Sequence, residues 1–88
     1  MGKDERKKRI ENILNSNFKP TYLKVVDDSS SHAGHLGASS QGETHYNIEI
    51  TSILFEGKSR VQRERMISKL LENEFETGLH ALSLKFKN

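Results

Sequence analysis

The sequence contains no cysteine, and this absence restricts its chemistry more than any other feature of the composition. A disulfide framework, a CxxC redox pair, a cysteine nucleophile and a metal site built from the chain's own thiolates are all excluded. No apolar run approaches the roughly 18 residues of a membrane-spanning helix, and the first residues are charged. We therefore expect a cytoplasmic protein with neither a signal peptide nor a membrane span.

An excess of one sign of charge is also lacking. The 88 residues include 14 Lys and Arg against 12 Asp and Glu, for a formal charge of +2, so the overall balance favours no particular partner. A chain of this length suits a single domain with one core, and we expect residues 1–88 to form it.

The most regular stretch is a strand pattern that passes through a glycine turn into a helix pattern. Alternating apolar and polar residues predict a strand over residues 43–54, and Gly57 can adopt the positive φ of a tight reversal. Ser59 and Gln62 have the spacing of a capping box, so a helix is predicted over residues 59–77. Its apolar stripe recurs at three- and four-residue steps and comprises Met66, Ile67, Leu70, Leu71 and Phe75.

Weaker patterns define the remaining elements. A helix is predicted over residues 3–16, strands over residues 21–27 and 79–86, and a loop over residues 28–42. One face of the first helix contains Arg6, Ile10, Ile13 and Leu14. In the last strand, alternation places on one buried face His80, Leu82, Leu84 and Phe86.

The element order α-β-β-α-β predicts an α+β fold with a three-stranded mixed sheet. The first two strands should pair antiparallel, and the long second helix should return the third strand parallel to the second with a right-handed crossover. Both helices then cover one face of the sheet.

Two surface features indicate possible binding sites. The loop carries His32 and His35 in a Ser- and Gly-rich run, and it is either a functional loop or a solvated linker whose histidines are incidental. A basic cluster around the start of the second helix contains Lys58, Arg60, Arg63, Arg65 and Lys69. This cluster suits nucleic acid, but the interspersed glutamates equally suit a solvated helix face. No spacing indicates an activated nucleophile, so we predict no enzyme activity.

Three motifs in order, GETHYNIEI, FEGKSRVQRERM and GLHALSL, resemble the BolA family over about Val25 to Leu84. The resemblance implies the α-β-β-α-β topology, which is related to type II KH domains, and no catalytic activity. It also implies a monothiol glutaredoxin partner, with which BolA-like proteins share a [2Fe-2S] cluster together with glutathione. Some members are described as DNA-binding regulators of stress response and cell shape, which gives an alternative function.

The resemblance also implies the cluster ligands. His80 matches the family's C-terminal histidine, which is a cluster ligand in such heterodimers. The second ligand in the family comes from the loop between the first two strands, and here it is His32 or His35. His45 matches a further family histidine and is expected to order the sheet edge or approach the site. Glu64 stands where the family more often has histidine, so no role of that histidine carries over.

A shared cluster would need thiolates that this chain lacks, and a glutaredoxin cysteine and glutathione would supply them. We therefore predict a non-enzymatic partner of a monothiol glutaredoxin in iron-sulfur cluster trafficking or iron homeostasis, which binds no stable cluster alone. The free chain is expected to be a monomer or a weak homodimer. The alternative is a DNA-binding transcriptional regulator.

Overall fold

A computed structural model describes residues 5–29 and 44–88 of the chain. The elements in chain order are α1 (Glu5–Phe18), β1 (Tyr22–Asp27), β2 (His45–Thr51), a 3₁₀ turn (Ile53–Phe55), α2 (Arg60–Leu70), α3 (Glu72–Glu76) and β3 (Ala81–Phe86). Most of the loop predicted at residues 28–42 lies outside the described residues, and so do both of its histidines.

The three strands form one mixed sheet in the order β1-β2-β3. β1 pairs antiparallel with β2 from Tyr22↔Thr51 to Asp27↔Tyr46, and β3 pairs parallel with β2. The predicted α+β class and strand directions are therefore confirmed. Because β2 is central, the edge of β3 that faces away from β2 has no neighbouring strand within the described part of the chain.

The core lies on one face of this sheet. Every second residue of β2 is fully buried, whereas Asn47 on the opposite side is exposed. The buried cluster joins both long helices to this face, and its fully buried aliphatic members from α1, β2 and α2 are Ile10, Leu14, Ile48, Ile50 and Ile67. Each such side chain contributes about 1.5–3 kcal/mol by its burial. Both helices therefore cover one face, as the periodicity predicted.

The start of α2 follows from local sequence. Gly57 has a φ of 78°, and the helix begins three residues later. The Ser59 hydroxyl accepts from the Gln62 amide at 3.1 Å, and the Gln62 side chain accepts from the Ser59 amide at 2.8 Å. This reciprocal pair satisfies two amides that the first helical turn cannot pair itself, so the predicted capping box is confirmed.

The prediction of one helix over residues 59–77 is wrong, because the helix breaks at Leu71. Leu71 has φ −102° and ψ 15°, and its amide is shared between two carbonyls of α2. The break buries Leu71 completely and turns the next helix so that Glu74 is also buried. As a consequence, Phe75 leaves the predicted apolar stripe and is 38% exposed.

The predicted strand over residues 43–54 also ends early, at Thr51. The Ser52 hydroxyl donates to the Phe18 carbonyl at 2.6 Å and accepts from the Leu54 amide at 3.2 Å. Ser52 thus caps a 3₁₀ turn and ties it to the end of α1, which leaves Ile53 80% exposed. The chain therefore leaves the sheet at a serine whose side chain bonds both to the end of α1 and to the turn that follows.

Candidate functional site

His80 lies immediately before β3, at the end of the sheet where β2 begins. Its amide donates to the Thr44 carbonyl at 2.8 Å, and the amide of Ala81 donates to the same carbonyl at 3.1 Å. The strand itself begins at the next residue, Ala81. The side chain of His80 is exposed, so the prediction that it is buried was wrong.

A second histidine stands beside His80. The ring centroids of His45 and His80 are 6.1 Å apart, at an interplanar angle of 39°. His45 is half-buried, and its Nδ1 lies 2.9 Å from the Thr44 hydroxyl, a hydrogen bond whose direction depends on the tautomer. The expectation that His45 orders the sheet edge or approaches the site is consistent with this placement.

The residues that flank the loop meet at the same end of the sheet. The Ser29 hydroxyl accepts from the Thr44 amide at 2.8 Å. Because the Thr44 carbonyl accepts from His80, the two residues that flank segment 30–43 lie close to the backbone of His80. His32 and His35 lie outside the described residues, so their role as ligands stays a prediction.

The described residues do not form a metal site by themselves. Among the described residues, 5–29 and 44–88, no three His, Cys, Asp or Glu side chains form a group that could hold a metal ion. The neighbouring imidazoles of His45 and His80 are fewer than the ligands of a structural zinc or an iron-sulfur cluster.

The basic cluster predicted at the start of α2 contains two kinds of residue, those whose side chains bond to other parts of the described fold and those whose side chains do not. Arg60 is of the first kind. Its Nε lies 2.9 Å from a carboxylate oxygen of Glu64, and its Nη2 donates to the Leu84 carbonyl of β3 at 2.8 Å. Its Cζ also lies 5.8 Å from the centroid of the Phe86 ring. Arg60 therefore closes part of the free edge of β3.

Arg63 is engaged in a similar way. Its Nε donates to the Lys58 carbonyl at 3.0 Å, and its Nη1 donates to the Asn88 carbonyl at 2.7 Å. Its Cζ lies 5.9 Å and 5.6 Å from the ring centroids of Phe55 and Phe86. Two of the five predicted nucleic-acid residues thus support the fold.

The other three cations of the cluster, Lys58, Arg65 and Lys69, are exposed. Within the described part of the chain, their side chains form no ion pair. They remain available to an anion. The groove between α2 and the free edge of β3, about 550 Å³ in volume, begins at His80 and is lined by Arg60, Glu64, Ser68, Phe75 and Leu82.

The sequence patterns missed the role of Arg6. This residue is 6% exposed and pairs with the equally buried Glu74, at 2.7 Å. The hydrogen bond from Arg9 lowers the pKa of Glu74; burial opposes this shift, and the positive charges of Arg9 and Arg6 add to it. The available signal was a charged residue on the apolar face of α1, but its partner is 68 residues away and no local pattern locates it.

The fold and the paired histidines define a small α+β domain with surface imidazoles and no thiolates of its own. A family model for BolA-like proteins matches residues 14–88. The chain therefore belongs to the BolA-like family. The BolA domain of SufE1 from Arabidopsis thaliana has a similar structure, with a TM-score of 0.85 and 45% identity, covering 99% of this chain and 93% of that domain.

Curated relatives agree with this membership. SufE-like protein 1 of Arabidopsis thaliana, named chloroplastic/mitochondrial, is 46% identical across 90% of this chain, which spans 22% of its length. Protein BOLA1, chloroplastic, of the same plant is 41% identical across 96% of this chain, which spans 54% of it. The DNA-binding transcriptional regulator BolA of Escherichia coli is 37% identical across 89% of this chain, which spans 70% of its length.

These relatives bear on location and on the length of the chain. The chain spans a small part of the first relative and about half of the second. Because both are named for organelles, the cytoplasmic location stays a prediction. In the described residues, no helix is both long and apolar enough to cross a membrane. The likeness to type II KH domains also stays a prediction.

Proposed function

We propose that the chain is a non-enzymatic partner of a monothiol glutaredoxin in iron-sulfur cluster trafficking or iron homeostasis. In the heterodimer it shares a [2Fe-2S] cluster with the glutaredoxin and glutathione. The observation that supports this most strongly is the placement of His80, which is exposed at its side chain and fixed at its backbone by Thr44. An imidazole held in this way can complete a ligand set that another chain provides.

The two ligands of this chain differ in how they reach the cluster. The backbone of His80 is held in position by the strand pairing that follows it, because the next residue already pairs with β2. His32 or His35 provides the other ligand, from the segment whose ends, Ser29 and Thr44, are joined by a hydrogen bond. Because these two flanking residues lie beside the backbone of His80, closure of the segment on the cluster costs less entropy than it would from distant ends.

The missing thiolates assign the rest of the ligand set to the partner. Iron-sulfur clusters are held by four thiolates, or by two thiolates and two imidazoles in sites of the Rieske type. With no cysteine, this chain can supply only imidazoles. The glutaredoxin cysteine and glutathione then supply the thiolates, and the isolated chain retains no stable cluster.

The experiment is anaerobic cluster reconstitution of this chain with a monothiol glutaredoxin, followed by purification of the complex. Visible absorbance and circular dichroism report the ligands. His80→Ala should abolish the mixed-ligand spectrum, whereas the matched control His45→Ala, at the neighbouring ring, should preserve it. An unaltered spectrum with His80→Ala would refute the ligand assignment, and stoichiometric iron and sulfide on the isolated chain would refute shared ligation.

DNA-binding regulation is the second candidate, and two observations favour it. A relative named as a DNA-binding transcriptional regulator is 37% identical to this chain. Lys58, Arg65 and Lys69 are exposed around α2 and can contact phosphates. The test is the salt dependence of binding to a DNA duplex, because phosphate contacts make affinity fall steeply with salt. Salt-independent or undetectable binding would remove this candidate.

A further inference from the structure

The turn that leads into His80 is held by a side chain from the first turn of α1. Arg6 Nη1 donates to the Glu74 carbonyl at 3.0 Å, to the Glu74 carboxylate at 2.7 Å and to the Thr77 hydroxyl at 3.1 Å. Its Nη2 donates to the Thr77 carbonyl at 3.0 Å. One planar guanidinium therefore binds both backbone carbonyls at the end of α3.

The turn is also shaped to accept this guanidinium. Gly78 has a φ of 130°, and a Cβ at this position would lie 3.1 Å from Nη2 of Arg6. The Leu79 amide donates to the Glu74 carbonyl at 2.8 Å, which closes the helix in the manner of a Schellman motif. The Glu74 carbonyl thus accepts from both Leu79 and Arg6, so the arginine is part of the helix ending.

His80 follows this turn without any intervening residue. Leu79 is 3% exposed and packs in the core, and Ala81 is the first residue of the β3 ladder. The imidazole is therefore presented between a buried anchor and a paired strand. A displacement of the turn would move Leu79 and alter the direction of the His80 side chain.

We infer that Arg6 is a positioning residue for His80. Its guanidinium fixes residues 77–79 so that the imidazole of His80 reaches the cluster without further ordering of the backbone. This inference rests on the proposed function, because it takes His80 as a cluster ligand. Arg6 precedes residues 14–88, which the family model matches, so family membership assigns it no role.

Arg9 provides a matched control from the same helix. It also pairs with Glu74, with Nε at 2.8 Å and Nη2 at 3.0 Å from the carboxylate oxygens. These bonds end on the side chain of Glu74, whereas those of Arg6 also reach the backbone of Glu74 and Thr77. Lysine keeps the charge at either position but cannot reproduce the fork of the guanidinium. Comparison of Arg6→Lys with Arg9→Lys therefore separates the effect of losing the turn contacts from the effect of weakening the ion pair with Glu74.

The first measurement is amide hydrogen exchange by NMR on the full chain. Arg6→Lys should accelerate exchange at residues 79–81 by about tenfold or more relative to the amides of β2, because the turn opens locally. Arg9→Lys should leave this ratio unchanged. An equal acceleration at all amides in Arg6→Lys would show only global destabilisation and would overturn the inference.

The second measurement is the rate of cluster loss from the reconstituted glutaredoxin complex. Arg6→Lys should lose the cluster at least about threefold faster than the parent, and Arg9→Lys should match the parent. If exchange accelerates locally but cluster loss is unchanged, the positioning role of Arg6 is wrong and the proposed function stands. If the parent complex forms no cluster, or His80→Ala preserves its spectrum, the proposed function fails and the inference fails with it.

Discussion

Arg63→Ala should mainly lower stability and Arg65→Ala should mainly weaken DNA binding, although the two arginines lie two positions apart in α2. Arg63 donates to two backbone carbonyls and lies over two aromatic rings. Each hydrogen bond contributes about 0.5–1.5 kcal/mol and each cation–π contact about 0.5–1 kcal/mol at an exposed site. After allowance for partial exposure, we expect Arg63→Ala to lower the free energy of unfolding by about 1–2 kcal/mol. Arg65 is exposed, and its removal should cost less than about 0.5 kcal/mol.

Urea denaturation measures this difference. With an m-value of about 1 kcal/mol/M for a small chain, Arg63→Ala should lower the midpoint by about 1–2 M and Arg65→Ala by less than about 0.5 M. In a DNA titration, Arg65→Ala should reduce the magnitude of the salt slope by about one, and Arg63→Ala should leave it unchanged at temperatures where the variant is folded. Equal midpoints for the two variants would refute the division of the basic cluster. A salt slope that is reduced in Arg63→Ala but not in Arg65→Ala would also refute this division.

Three further predictions concern pH, the sheet edge and the loop. The pKa of Glu74 is lowered in the folded chain, so its contribution to stability is present above its unfolded pKa of about 4.3 and is lost as pH falls through the lower folded value. Glu74→Gln should therefore reduce stability at pH 7 and make stability fall less steeply in acid. Thermal unfolding at several pH values measures this, and an equal pH dependence of stability in the variant and the parent would contradict it. Arg60→Ala opens the carbonyl of Leu84 on the free edge of β3, and sedimentation should detect more self-association than with Arg65→Ala, because exposed edges pair with other chains. The double variant His32→Ala, His35→Ala should lose the shared cluster as His80→Ala does, whereas either single loop change should be milder because the other histidine can substitute. Full retention of the cluster by the double variant would exclude the loop as the source of a cluster ligand.

Local sequence predicted the features whose causes are local. The alternation of β2 predicted its buried face, because neighbouring residues of a strand point to opposite sides. Ser59 and Gln62 predicted the cap of α2, since both partners of that motif lie within one turn. His80 was singled out by the resemblance to the BolA family, and the structure shows that its side chain is exposed.

Features with distant causes could not be predicted in this way. The break at Leu71 accompanies the burial of Glu74 against Arg6, which is 68 residues away in sequence. The engagement of Arg60 and Arg63 depends on partners in β3 and beyond it, so their charge alone suggested phosphate contacts that their geometry does not favour. Composition identifies cations, but only tertiary structure shows which of them are already paired.

Shared ligation has a thermodynamic consequence for how such a partner would work. If this chain supplies imidazoles and the glutaredoxin supplies thiolates, the cluster contacts both chains at once. By linkage, the factor by which the cluster strengthens the heterodimer equals the factor by which this chain strengthens cluster retention by the glutaredoxin. His80→Ala should therefore reduce both factors together. Titrations of the two chains with and without the cluster measure the first, and cluster dissociation with and without this chain measures the second. A cluster that strengthens the heterodimer equally in the parent and in His80→Ala would contradict ligation by this histidine.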